Sequence, residues 1–404
     1  MNVTISAAHL TGQITPPASK SFAHRQLIAA ALSDAPTTLF IDNPSDDITA
    51  TLACISALGA GISLASDNRT YTVTPITSVP KKVSLFCAES GSTLRFLLPV
   101  TAALGTHATF SGSGRLPQRP NRELISAMEK HGICATASLL PLTLSGQLEG
   151  GLYEIPGNVS SQYITGLLLA LPMLCSDSRI LFTTPVESAS YLSITCQVLE
   201  QFGITVKVLP DGYLIPGNQH YRSVGSLTTE GDWSSAVFWY CANQMGHHIT
   251  LDGMNLTSCQ GDRAVLQQLE MLGSVVDVSQ TPDSLPALAV AACTFPGTTR
   301  FTGAGRLRIK ESDRLSAVYQ MLTALGQQAE EFQDELIVHG GKPFIGGTVN
   351  GCRDHRIVMA AALAASVSKA PVTITDAEAV SKSYPRFFKH YVDLGGKIHG
   401  QYPG

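Results

Sequence analysis

Fourteen of the 27 lysines and arginines lie in a few short stretches: Lys20 and Arg25; Arg95; Arg115, Arg119 and Arg122; Arg306, Arg308, Lys310 and Arg314; Arg353 and Arg356; Lys382 and Arg386. Each stretch falls near a helix start or in a Gly/Pro-rich loop. Cations kept for solubility are spread over a surface. Cations gathered at helix starts, where backbone N–H groups add partial positive charge, call for a small, multiply charged anion.

The stretches differ in how firmly they carry that reading. In "PPASKSFAHR" a Pro pair breaks the chain, and Lys20, Ser21 and Arg25 then occupy the first two turns of a helix of small apolar residues. Ser19 alone reads equally well as an ordinary cap. In "ESGSTLRF", Gly91 allows close backbone approach to an anion and Arg95 follows one turn later. "GSGRLPQRPNREL" places Arg119 in a loop able to close on a ligand, although by itself this reads as a solvated loop. "NVSSQYITG" presents Ser160, Ser161 and Gln162, neutral donors suited to phosphate or sugar hydroxyls. "LRIKESDRL" packs Lys310, Glu311, Asp313 and Arg314 together, a pattern also found at exposed helix starts with local ion pairs. In "RDHRIVMAAALAA", Asp354, His355 and Arg356 open a helix that is apolar all round; such a helix is buried, and its charges need partners.

Other chemistries are disfavoured. There is no G-x-x-x-x-G-K-[ST] loop, no strand-G-x-G-x-x-G unit, no H-E-x-x-H, no zinc-type Cys/His spacing and no G-x-S-x-G elbow. The anion is expected to bind without a nucleotide motif and without a metal. A net charge of -4 gives no support for a nucleic-acid or anionic-membrane partner. The apolar runs "LLLALPMLC" and "IVMAAALAASV" are too short to span a bilayer, and no signal peptide is expected from "MNVTISAAHL". Nine cysteines without a C-x-x-C pair read as mostly buried free thiols in a reducing compartment, hence the cytoplasm.

The elements that must position these residues repeat. A helical pattern closed by Gly and followed by a strand-like run recurs at Gly59, Gly132, Gly203, Gly273, Gly326 and Gly395, with gaps of 73, 71, 70, 53 and 69. A second helix, polar at its start and then small and apolar, recurs from Lys20, Ser92, Ser160, Asp232, Asp283 and Asp354, with gaps of 72, 68, 72, 51 and 71. The two series stay in phase and share one short gap. Six copies of one α/β unit of roughly 70 residues are therefore expected, the fourth trimmed, with the amphipathic helices facing solvent and the small-residue helices interior.

With these residues in view, the chain resembles the 5-enolpyruvylshikimate-3-phosphate synthase family of enolpyruvyl transferases along essentially its whole length. The ordered set "SKSFAHR", "ESGSTLRF", "QRP", "VSSQYITGLLLALP", "GDWSSA", "PDSLPALA", "IKESDRL", "DHRIVMA" and "SKSYPRF" carries the resemblance. It implies an α/β fold, a two-lobed inside-out α/β barrel of six βαβαββ repeats, three per lobe, with the site in the interlobe cleft. It implies an N-terminal lobe of residues 14–228 and a C-terminal lobe of residues 1–13 and 229–404. It also implies transfer of the enolpyruvyl group of phosphoenolpyruvate to the 5-hydroxyl of shikimate 3-phosphate, without metal or cofactor, by a cytoplasmic monomer of the shikimate pathway to aromatic amino acids.

The roles implied residue by residue are these. Lys20 bridges both substrates and donates a proton. Ser21, Arg25, Ser160, Ser161, Gln162, Ser188, Asp283 and Lys310 join Lys20 around shikimate 3-phosphate. Gly91, Arg119, Gln162, Arg314, Arg356 and Lys382 join Lys20 around phosphoenolpyruvate. Asp283 is the base for the 5-hydroxyl, and Glu311 takes part in protonating the methylene carbon and in the elimination. Both substrates carry a carboxylate and a phosphate, so a cation-rich site fits them. Two positions depart from the family: Glu89-Ser90-Gly91-Ser92 replaces its frequent Asn-Ala-Gly-Thr, placing a carboxylate beside the phosphoenolpyruvate pocket and bearing on binding of the inhibitor glyphosate; and Arg306 stands where many members have Asn. The rivals are the sister enzyme acting on UDP-N-acetylglucosamine, whose mobile loop usually carries a Cys that "GSGRLPQRP" lacks, and a non-catalytic anion-binding homologue, which would not need Asp283, Glu311 and Lys382.

Overall fold

A computed structural model of the chain describes residues 1–403. The polypeptide forms two compact units, one of residues 18–229 and one of residues 1–17 with 230–404.

In the 18–229 unit three four-stranded sheets repeat one topology. Lys82–Phe86 pairs in parallel with His107–Ser111, which pairs antiparallel with Leu142–Gly146, and Ile133–Ala135 closes the edge. The same order is found in Leu152–Ile155, Ser178–Phe182, Gly212–Ile215 and Lys207–Leu209. In the remaining sheet the first strand, Ser226–Thr228, comes from the end of the unit and pairs in parallel with Thr37–Phe40, followed by Thr70–Thr74 and Gly61–Leu64. The parallel pairs need a crossover. The helices Gly91–Ala103 and Ser161–Ala170 supply two, and Lys20–Ala31 precedes Thr37–Phe40 in the same way.

The other unit repeats the scheme. Val275–Asp277, Thr298–Thr302, Glu335–His339 and Gln328–Glu331 form one complete sheet. Gly347–Val349, Val372–Ile374, the N-terminal strand Val3–Ser6 and Lys397–His399 form another. The short gap in the sequence corresponds to a two-stranded sheet, Thr11–Ile14 parallel to His248–Leu251. After the outer helix Val265–Glu270 the chain passes straight to Val275–Asp277, the first strand of the next sheet, so this fourth repeat lacks its hairpin.

The six small-residue helices are interior. Every residue from Leu285 to Cys293 and from His355 to Ala365 is buried. The six repeat glycines have φ between 76 and 109°, the left-handed region that lets the chain turn from each outer helix into a strand. Two of the interior helices also approach each other closely. Pro99, inside Gly91–Ala103, has no N–H to offer the Arg95 carbonyl. Gly166 lies so near that carbonyl that a Cβ would sit 2.2 Å from its oxygen. The absence of a side chain there seats the second and third interior helices side by side.

The cysteine expectation needs correction. All nine are free, but four are buried, three half-buried and two exposed. Cys134 lies on an edge strand and Cys175 in a turn, where the chain leaves the core. Among the described residues no helix is long and apolar enough to cross a membrane.

Candidate active site

In the 18–229 unit the expected residues gather at the starts of the interior helices. Lys20 opens the first, and its Nζ donates to Asp47 Oδ2 at 2.8 Å. Arg25 is buried beneath it. Its guanidinium donates to Thr195 Oγ1, Thr165 Oγ1, and the carbonyls of Ser21 and Tyr191 at 2.6–3.2 Å, and lies 4.8 Å over the Phe96 ring. Ser188 is buried with φ 55°, and its carbonyl accepts from Tyr191 N, which places it next to Arg25. It sits between Val186 and Ala189, which line a cavity of about 530 Å³ with Phe182, Pro210 and Tyr213.

The second cluster surrounds Gly91, the first residue of its helix, behind Ser90, whose hydroxyl accepts from Thr93 N. A Cβ on Gly91 would stand 2.9 Å from Arg119 Nη1 and 3.3 Å from Gln162 Oε1, so glycine lets these two side chains meet the backbone. Gln162 donates to Ser92 Oγ at 2.9 Å and accepts from Arg95 Nη1 at 2.7 Å. Arg95 is buried, tied to Asn121 Oδ1 and the Pro120 carbonyl, and thereby anchors the loop carrying Arg119. The Nε of Arg119 is buried without a hydrogen-bond partner among the described residues. Ser160 and Ser161 are buried, and the Ser160 hydroxyl caps the third helix by accepting from Gln162 N. Glu89 presses on Gly114 of the Arg119 loop, where any side chain at Gly114 would collide with its carboxylate.

In the other unit the residues form a charge network. Asp283 lies in a 3-10 turn, Pro282–Ser284, before the interior helix. Its Oδ1 accepts from Arg314 Nη1 at 2.7 Å and is 3.2 Å from Lys310 Nζ; Oδ2 is 3.8 Å from Arg356 Nη2. Burial opposes ionisation of Asp283, but Lys310, Arg314 and Arg356 outweigh it and hold the carboxyl well below the usual carboxylate range. Burial, with Arg314 and Arg306 nearby, lowers the Lys310 ammonium against the pull of Asp283. Arg306 thus acts on the site through Lys310. Arg314 is the hub: it also donates to Glu311 Oε2 at 2.6 Å and to both Asp354 oxygens at 2.9 and 3.1 Å, and is itself only 1% exposed. Arg356 donates to the Ser234 carbonyl at 2.5 Å, and its Nε is buried without a hydrogen-bond partner among the described residues. Lys382 is half-buried and donates to the carbonyl of Arg353.

Sequence reasoning assigned no role to Asp47, Thr165, Thr195, Asp262 or Ser234. Asp47 sits in "PSDDITA", which reads simply as a capped helix with acidic residues in its first turn. Thr165 is an interior position of an apolar helix, and Thr195 lies on the buried face of the amphipathic helix Ser190–Gln201. Only the fold turns these residues toward the cations.

The chain as a whole is similar to known proteins. The family model described as EPSP synthase (3-phosphoshikimate 1-carboxyvinyltransferase) matches residues 5–281 and 270–391. The chain belongs to the EPSP synthase family. A 3-phosphoshikimate 1-carboxyvinyltransferase from Clostridium kluyveri is 40% identical over 98% of each chain, and one from Clostridium acetobutylicum is 39% identical with the same coverage. The fold matches an EPSP synthase from Acinetobacter baumannii with a TM-score of 0.83 at 23% identity over 99% of this chain and 100% of that one. It also matches the enolpyruvyl transferase NikO from Streptomyces tendae with a TM-score of 0.81 at 17% identity, over 100% of this chain and 99% of that one. These EPSP synthase relatives favour the shikimate 3-phosphate enzyme over the rival readings of the sequence.

Proposed function

We propose that this chain transfers the enolpyruvyl group of phosphoenolpyruvate to the 5-hydroxyl of shikimate 3-phosphate, releasing phosphate. The observation that carries the assignment of roles is the Asp283 carboxylate fixed among Lys310, Arg314 and Arg356, with Glu311 on the other arm of Arg314.

Asp283 takes the proton from the 5-hydroxyl as that oxygen attacks C2 of phosphoenolpyruvate, and the methylene carbon receives a proton from Lys20 or Glu311. Phosphate then leaves C2, and loss of a proton from the methyl carbon formed in the first step restores the double bond. In the free protein the surrounding cations make Asp283 a weak base. Anionic substrates engaging Lys310 and Arg356 withdraw that field, so the base gains strength when substrate is present. Arg119 and Arg356, each with a buried Nε lacking a hydrogen-bond partner, suit the carboxylate and phosphate of phosphoenolpyruvate. Ser21, Arg25, Ser160, Ser161, Gln162 and Ser188 suit shikimate 3-phosphate. We take the protein to act as a monomer, which sedimentation would check; the cytoplasm is the compartment we assign.

Phosphate release from purified protein with both substrates tests the reaction. Activity with UDP-N-acetylglucosamine instead would overturn it. Asp283→Asn is expected to lower kcat about 1,000-fold while changing either KM less than about threefold. Unchanged turnover would remove Asp283 from the role of base.

A further inference from the structure

Arg356 reaches its place by a route that leads back to an unassigned carboxylate. Its Nη1 rests on the Ser234 carbonyl, in the first turn of the Trp233–Gln244 helix. The Ser234 hydroxyl donates in a short hydrogen bond to Asp262 Oδ2, and Asp262 is buried in the turn Gly261–Ala264. Its neighbour Gln260 grips the same segment, accepting from Trp233 N at 3.1 Å and donating to the Gly231 carbonyl at 2.9 Å and Glu230 Oε1 at 2.6 Å. The sequence Gln260-Gly261-Asp262 is thus a clasp on residues 230–234.

We propose that Asp262 is a positioning residue for Arg356: by holding Ser234 it fixes the carbonyl on which the guanidinium rests, leaving Nε directed at an anion. This rests on the reading of Arg356 as a phosphoenolpyruvate ligand. Burial without a salt-bridge partner would be costly for a carboxylate kept only to cap a hydroxyl. Asn would satisfy the same hydroxyl at lower cost, so the charge has a use.

The groups facing Asp262 are Asp283 from the turn before Leu285–Thr294, Arg356 from His355–Ala365 and Asp232 at the start of Trp233–Gln244. Burial and the repulsion of Asp283 raise its carboxyl to about 6, with Asp232 adding to this while Arg356 and Ser234 oppose it. An anion on Arg356 cancels part of that opposition. Asp262 then holds its proton to a higher pH, which lowers the negative charge gathered beside Asp283. The hold of Arg356 on its anion therefore depends on pH near 6, while its placement does not.

Asp262→Ala should raise KM for phosphoenolpyruvate about tenfold or more, leave KM for shikimate 3-phosphate within about twofold, and spare the thermal transition. Asp262→Asn keeps the acceptor, so it should restore most of the affinity while flattening the pH dependence of that KM between pH 5 and 7. The Arg356 Nε–H resonance in 15N-arginine-labelled protein, assigned by its loss in Arg356→Lys, should move in Asp262→Ala and return toward its place in Asp262→Asn. An unmoved resonance with unchanged kinetics would overturn the proposal, as would equal losses for both substrates with a lowered thermal transition. The resonance needs no turnover, so it decides the positioning role even if the wild-type protein releases no phosphate from these substrates, a result that would instead refute the reaction assigned above.

Discussion

The two units hold their cations by different means. Arg25 and Arg95, in residues 18–229, are buried against threonine hydroxyls, amide oxygens, backbone carbonyls and aromatic faces. Arg314, in the other unit, is buried against three carboxylates. Neutral acceptors orient a guanidinium without cancelling its charge, so positive potential survives for an incoming anion. Carboxylates cancel it but gain something else, because Asp283, drawn among Arg314, Lys310 and Arg356, is held well below its ordinary titration range. One unit leaves the charge of its buried guanidiniums uncancelled, and the other uses cations to set the strength of a carboxylate.

Truncating the two hubs gives the largest expected effect. Arg314→Met leaves Asp283, Glu311 and Asp354 without their common partner and should cost about 3–5 kcal/mol in urea unfolding, together with activity. Arg25→Met leaves neutral groups behind and should cost only about 1–3 kcal/mol. Equal costs would break the distinction. A smaller effect is expected from Gly91→Ala, whose Cβ must displace the tip of Arg119 rather than any backbone. KM for phosphoenolpyruvate should rise about tenfold, with unfolding free energy changed by no more than about 0.5 kcal/mol; a destabilised variant would mean that Gly91 serves packing instead.

The smallest effect concerns pH. His24 is buried, with Nδ1 on Thr51 Oγ1, and burial with Lys20 and Arg25 lowers its pKa well below 6.5. As pH falls below 6.5 the unfolded chain takes up a proton that folded His24 refuses, so the 18–229 unit loses stability, by at most about 1.4 kcal/mol per pH unit. In the other unit His247, lowered to about 4 by burial and by His9 and His248, acts in the same direction. There, however, Asp262 is raised to about 6, so the folded state binds its proton first and gains stability as pH falls. Amide exchange should therefore show the 18–229 unit losing protection first between pH 7 and 5. His24→Gln should abolish that difference, and equal losses in the wild type would show that His24 does not control it.

Much of this was legible in sequence because the signals are local. A glycine cap needs only its own backbone, and a helix of alanines and leucines advertises its burial. Even the missing hairpin of the fourth repeat showed as one short gap shared by two series. The clustered cations were visible for the same reason. Their partners were not, since Asp47, Thr195 and Asp262 meet Lys20, Arg25 and the Arg356 support only across many residues of chain. Arg25 shows the limit well: its placement at a helix start announces a ligand site, yet nothing in "SKSFAHR" tells that four of its contacts are to the protein itself.

The strand Val3–Ser6 completes a sheet with Val372–Ile374 and Lys397–His399. It is translated long before either neighbour, whereas residues 18–229 carry every strand of their own three sheets. The 18–229 unit can thus be completed while the strands Val3–Ser6 and Thr11–Ile14 wait with open edges for partners not yet translated. That waiting period, rather than the finished enzyme, is where a chaperone would be of most use.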